Sequence, residues 1–356
     1  VYGLIFPAIF AIAFAVQWMR SDTDRDSYAY WIGARYATEP TMFTAEPLGG
    51  PVLFDPGPHP PLMTYLYPPP LAAALKPLGQ LSWPAFARIW LLVCAAAFWA
   101  FAAICVRAWT GPMRPRAVSA TAGILFLTPP VMLAWGLQQA DILVWVLIGA
   151  GTVWASGSAL SGAAYLKVIG AYPLAFLLLR SRQAWYGLAW MTAAVALICL
   201  VSLGPRGTID EWTIWLTRIL PSLGQGEFWD APVSFDAFGE SLGWNLPGNL
   251  APAVLPIRAL GYGATDAVPA LGRVYLLVLG IGAPLVAGIL TRRRPASHQI
   301  TAVIAATLLA APILRLTYLP MLVPGVLILW RNHGNGDVSR MRRGSIDQRE
   351  GVSSLR

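Results

Sequence analysis

An all-helical, polytopic membrane protein is the fold class this sequence predicts, and two observations carry it. The chain of 356 residues has a mean hydropathy of +0.57 with only 12% charged residues. Uncharged or nearly uncharged apolar runs recur along it, at 1–19, 83–106, 118–134, 142–166, 168–179, 184–205, 274–291, 299–314 and 316–330. A helix needs such runs to cross a hydrocarbon layer about 30 Å thick. A β-barrel would show short alternating segments instead.

Taken in order, the run 1–19 has no basic leader and no small-residue cleavage site, so it reads as a retained first span rather than a signal peptide. The stretch 68–80 is too short to span and opens on a proline cluster, which predicts a half-helix at the outer surface. The stretch 157–179 holds Lys167, Gly170 and Pro173 and predicts a re-entrant or paired short-helix segment lining a cavity, since broken backbone at membrane depth needs protein or water around it. The remaining runs predict about eight full spans in a transmembrane domain over 1–330. The arginine-rich segment 331–356 is expected to be a disordered basic tail.

Charge sets the expected sidedness. The segment 20–67 carries Asp22, Asp24, Asp26, Glu39, Glu46 and Asp55 against Arg20, Arg25 and Arg35. The segment 206–248 carries Asp210, Glu211, Glu227, Asp230, Asp236 and Glu240 against Arg206 and Arg218. Short links are the reverse: Arg107, Arg114 and Arg116; Arg180 and Arg182; Arg292, Arg293 and Arg294. Short basic links stay cytoplasmic, so both long segments are expected to face out and both termini in. Basic residues outnumber acidic ones 25 to 17, but their place in these links argues for membrane topology and against a nucleic-acid partner. Cys94, Cys105 and Cys199 lie in apolar runs without metal-ligand spacing and read as buried thiols.

Few polar residues are left to carry chemistry. On a helix, Asp22, Asp26 and Tyr30 share one face, and Asp24 points elsewhere. A carboxylate there can act as a general base toward a hydroxyl, or the group can be a solvated acidic loop. Tyr67, with Tyr65 and His59 nearby, fits either a substrate surface or an interfacial aromatic belt. Gln138, Gln139 and Asp141 stand at a span end, where they either cap the helix or face a cavity. Lys167 is the sharpest intramembrane charge; an ammonium at that depth costs about 2.5–3.5 kcal/mol and must find a carboxylate, a phosphate or water. Arg88, Arg273 and Arg315 pose the same question. There is no P-loop, G-x-S-x-G, H-E-x-x-H or credible C-x-x-C pattern, so nucleotide-driven or redox chemistry has no support.

The order of these features resembles the GT-C superfamily of membrane glycosyltransferases, and most closely glycosyltransferase family 87, the polyprenyl-phosphate-mannose-type branch. The resemblance rests on Asp26-Ser-Tyr-Ala-Tyr30-Trp-Ile-Gly33-Ala-Arg35, on Tyr67-Pro-Pro-Pro70-Leu71, on Gln138-Gln139-Ala-Asp141-Ile-Leu, and on Gly162, Lys167 and Pro173. Two departures stand out. The family's late histidine pair is replaced by Thr317 and Tyr318, and its Asn-Gln-Ser-Leu by Gly239-Glu240-Ser241-Leu242.

The resemblance implies a GT-C-like fold in a bacterial plasma membrane and inverting transfer of a sugar, mannose or another hexose or pentose. The partners would be a polyprenyl-phosphate donor, a lipid or glycan acceptor and the membrane lipids. Asp26 would be the base, with Asp24 as substitute. Arg35, Lys167 and Arg315 would meet the phosphate, and Tyr30, Tyr67, Gln139, Asp141 and Tyr318 would line the substrate site. No cofactor is expected, and divalent-metal dependence stays open. A transporter or flippase for a lipid-linked or anionic solute, and a catalytically inactive relative, remain as alternatives.

Overall fold

The computed structural model describes residues 2–20, 26–37, 65, 67–220, 276–310 and 316–333, and every regular element among them is helical. In chain order these are α1 (Tyr2–Met19), α2 (Asp26–Arg35), α3 (Pro69–Gly79), α4 (Trp83–Thr110), α5 (Pro115–Phe126), α6 (Pro129–Gly136), α7 (Asp141–Trp154), α8 (Gly157–Leu166), α9 (Ala171–Leu178), α10 (Arg182–Ile214), α11 (Gly282–Leu290), α12 (Ala296–Ala310) and α13 (323–333). A wide turn at Trp215–Ile219 extends α10, a 3-10 turn at Val168–Gly170 precedes α9, a second wide-turned segment, Leu276–Ile281, precedes α11, and a tight 3-10 segment, Leu316–Leu322, leads into α13.

Two of these helices are long and apolar enough to cross a membrane unaided, α4 and the 38-residue unit Arg182–Ile219. The pair α5–α6 makes a third if its two arms, bent by 84°, count as one broken span. The shorter apolar helical stretches Pro7–Met19, Asp141–Trp154, Val168–Leu178, Val278–Leu290 and Ala296–Ala310 fall within 10–17 residues, about 15–26 Å at 1.5 Å per residue. The eight full spans expected from the sequence are therefore not seen among the described residues.

Local chemistry explains the breaks. The run 118–134 bends where Thr128 precedes Pro129-Pro130, because a residue before proline is driven out of helical geometry; Thr128 has ψ 138°. The run 142–166 stops at Ala155, which takes a left-handed conformation at φ 49°, and restarts when the Ser156 hydroxyl accepts from the Ala159 N–H. The stretch 157–179 is a pair of short helices broken at Lys167, whose backbone is extended. The apolar run 184–205 ends, but the helix does not. Instead α10 kinks at Gly204, where φ 72° and ψ 170° suit only glycine, and Pro205 opens the next arm.

Packing places the site. The helix α2 lies against α3, α4 against α7, α8 against α7 and α10, and Leu316–Leu322 against α6 and α7. The α2–α3 contact is close because two glycines permit it. A methyl on Gly33 would stand 2.6 Å from the Tyr65 ring, and one on Gly79 would stand 2.7 Å from the backbone at Ala34 and Arg35. Behind this contact Phe86, Trp90, Phe98, Phe101 and Trp145 are fully buried. By contrast α10 leaves Trp190, Leu197 and Val201 exposed, as a lipid-facing helix should.

Replacement of Gly33 by alanine is expected to lower stability by about 1–3 kcal/mol, the usual result of overpacking. Thermal unfolding in detergent should show Gly33→Ala well below wild type. Gly136→Ala, where nothing lies within 4 Å of the new methyl, should stay near it.

Candidate active site

The site grows from four consecutive residues, Gln138 to Asp141, at the turn between α6 and α7. Gln138 is left-handed at φ 52°, a geometry that costs a non-glycine residue on the order of 1 kcal/mol. The bend turns successive groups onto different neighbours. The Ser27 hydroxyl donates to Gln138 Oε1 at 2.9 Å, and the Trp90 indole donates to the Gln138 carbonyl at 2.7 Å. The Gln139 amide Nε2 donates to Asp26 Oδ2. The Ala140 N–H donates to the Tyr30 hydroxyl at 2.9 Å, which in turn donates to the Tyr67 hydroxyl at 3.0 Å.

Asp141 is the first residue of α7, where a negative charge faces the positive end of the helix dipole. Its side chain is only 1% exposed, and it accepts from the Lys167 ammonium on one oxygen and from the Thr317 hydroxyl, at 2.7 Å, on the other. The indole of Trp145, one turn on, donates to the Thr317 carbonyl at 2.8 Å. Lys167 also lies 4.2 Å from the centre of the Tyr318 ring and 5.5 Å from that of Tyr67, a placement in which the ring faces stabilise the cation. Of the partners open to Lys167, the structure supplies the buried carboxylate.

Asp26 and Tyr30 are one helical turn apart on the buried face of α2, as their spacing predicted. Burial drives the Tyr30 phenol well above its ordinary pKa, and the nearby Asp26 charge adds to the effect. Burial does the same for Tyr67, against the opposing pull of Lys167.

Asp26, Tyr30, Tyr67, Gln139, Asp141, Lys167 and Tyr318 therefore form one connected cluster. Arg35 does not join it; it lies exposed at the far end of α2, its guanidinium 5.2 Å from the Trp31 ring. Asp22, Asp24, His59, Arg273 and Arg315 fall outside the described residues. Arg88 rests over the Trp18 ring at 5.7 Å. Sequence reasoning did not single out Ser27, nor Glu211, which is 4% exposed. Glu211, Trp215 and Ile219 are buried at successive four-residue steps, a helical period that the polar composition of 206–220 hid. Among the described residues no group of three or more His, Cys, Asp or Glu side chains has the arrangement to hold a metal ion.

The sequence profile of glycosyltransferase family 87 matches residues 65–318. The chain belongs to glycosyltransferase family 87. The match takes in Tyr67, Gln139, Asp141, Lys167 and Tyr318, while α2 with Asp26 lies ahead of it. No curated protein and no solved structure is significantly similar to the chain. Family membership makes this a glycosyltransferase by class, and its exposed apolar helices make it a membrane protein.

Loss of one member of a buried ion pair costs more than loss of both, because the survivor is left without compensation. Asp141→Asn is expected to destabilise by about 2–4 kcal/mol, the lower values reflecting the partial exposure of Lys167. The double variant Asp141→Asn/Lys167→Met should recover much of that loss in thermal unfolding. Additive losses would show that the pair is not coupled.

Proposed function

We propose that this glycosyltransferase moves a sugar from a polyprenyl-phosphate donor to a lipid or glycan acceptor at the outer face of the membrane, with inversion at the anomeric carbon. The observation that carries the reading is the cluster itself: a carboxylate, Asp26, held on the same buried surface as a cation, Lys167, with aromatic rings between them. A base and a phosphate-neutralising charge are the two groups the reaction asks of a protein.

In this reading Asp26 takes the proton from the acceptor hydroxyl as its oxygen attacks the anomeric carbon. The bond from that carbon to the phosphate oxygen breaks, and polyprenyl phosphate departs with the electron pair. Lys167 offsets the charge gathering on the phosphate. Its ammonium has three protons; one is held by Asp141, which fixes the group's position without using all its donors. Because phosphate leaves readily, no second carboxylate is required as acid, in contrast to glycoside hydrolysis. Tyr67 and Tyr318 offer ring faces to the sugar. Thr317 and Tyr318 stand where the family pattern has histidines, and Thr317 here serves Asp141. Asp24, Arg35 and Arg315 remain proposals as substitute base and further phosphate contacts.

Transfer of radiolabelled sugar from a panel of polyprenyl-phosphate donors to membrane lipid extract tests the reading. Folded Asp26→Asn should transfer about 10²–10⁴-fold more slowly than wild type, the range expected for loss of a general base. Wild-type transfer by Asp26→Asn would remove Asp26 as the base. Transfer from nucleotide sugars alone would remove the polyprenyl-phosphate donor.

A further inference from the structure

Resting on the reading of Asp26 as base, we infer that Gln139 is a positioning residue: its side-chain amide fixes the plane of the Asp26 carboxylate, and the turn Gln138–Ala140 acts as a clamp that holds α2 in register for it. Three successive residues of the turn engage three sites on the first turn and a half of α2. Gln138 takes the Ser27 hydroxyl, Gln139 gives its N–H to Asp26, and the Ala140 N–H reaches Tyr30. These contacts join residues 110 to 113 positions apart in sequence, so they are tertiary constraints rather than local capping.

The orientation of the Gln139 amide is dictated by charge. Its Nε2 faces the carboxylate, and its Oε1 is buried without a hydrogen bond among the described residues. Rotating the amide would satisfy neither group, since it would set a carbonyl oxygen against a carboxylate oxygen. Gln139 is 2% exposed and Gln138 fully buried, so water does not compete for these bonds. The left-handed Gln138 backbone makes the arrangement possible. It lets two adjacent glutamine side chains reach the same helix, where an extended or helical pair would send them to different sides. Among the described residues, the Asp26 charge acts on the phenols of Tyr30 on α2 and Tyr67 ahead of α3.

The test reads Asp26 directly and needs no substrate. Full-length protein in nanodiscs is titrated while the carboxylic-acid infrared band of Asp26 is followed, the band being assigned by its loss in Asp26→Asn. Gln139→Glu places a second carboxylate against the first, and two carboxylates in contact share a proton. The band's midpoint should rise by roughly 1 pH unit or more. Gln139→Leu, which only removes the donor, should raise it less. Gly136→Ala, at the end of α6 where the new methyl meets nothing within 4 Å, touches neither α2 nor the clamp and should leave it in place. An unmoved midpoint in both Gln139 variants, or equal movement in Gly136→Ala, overturns the proposal. In transfer assays Gln139→Leu should lower kcat about 10-fold or more with KM little changed, the signature of an interaction that matters in the transition state. Undiminished transfer by Asp26→Asn would count against the base reading alone, because the infrared midpoints report the Gln139 contact whether or not Asp26 is the base.

Discussion

The buried pair of Asp141 and Lys167 is the constraint on which the rest of the site depends. An ammonium within an apolar segment is unstable unless a carboxylate or water meets it, and in this chain the carboxylate comes from the start of another helix. The pair ties the break after α8 to the first turn of α7, and the Thr317 hydroxyl ties the same carboxylate to Leu316–Leu322. Three segments separated by 26 to 176 residues are thereby closed on one side chain.

From Asp141 the order passes backward along the chain. The three residues before it bind α2 and α4, so that a run of four residues holds both ends of the cluster, the carboxylate of Asp26 and the ammonium of Lys167. Small residues at the α2–α3 contact let Tyr65 and Tyr67 come close enough to complete it. Tyr65 donates to the Pro68 carbonyl and accepts from the Ala72 N–H, which fixes the chain just before α3. Polar groups that would be costly to bury singly are joined in one network, which leaves Gln138 Nε2 and Gln139 Oε1 without a hydrogen bond among the described residues and otherwise favours one arrangement.

Much of this was legible in the sequence, and the remainder was hidden for physical reasons. Apolar runs predicted helices, the spacing of Asp26 and Tyr30 predicted a shared face, and the isolation of Lys167 predicted a partner. The break in 157–179 followed from Lys167, Gly170 and Pro173. The break at Ala155 did not, because alanine carries no turn signal of its own, although it takes a left-handed conformation. The continuation of helix beyond Gly204–Pro205 was masked by residues that composition reads as loop. Pairings such as Gln139 with Asp26 lie beyond any local period, and only the fold reveals which polar residues meet.

The most direct measurement is a structure of the protein with a non-hydrolysable polyprenyl-phosphonate sugar bound. The phosphonate oxygens should lie within hydrogen-bonding distance of the Lys167 ammonium, and the Asp26 carboxylate on the opposite face of the anomeric carbon, still held by Gln139. A phosphonate seated away from Lys167, or a sugar whose anomeric carbon Asp26 cannot face, would contradict this arrangement.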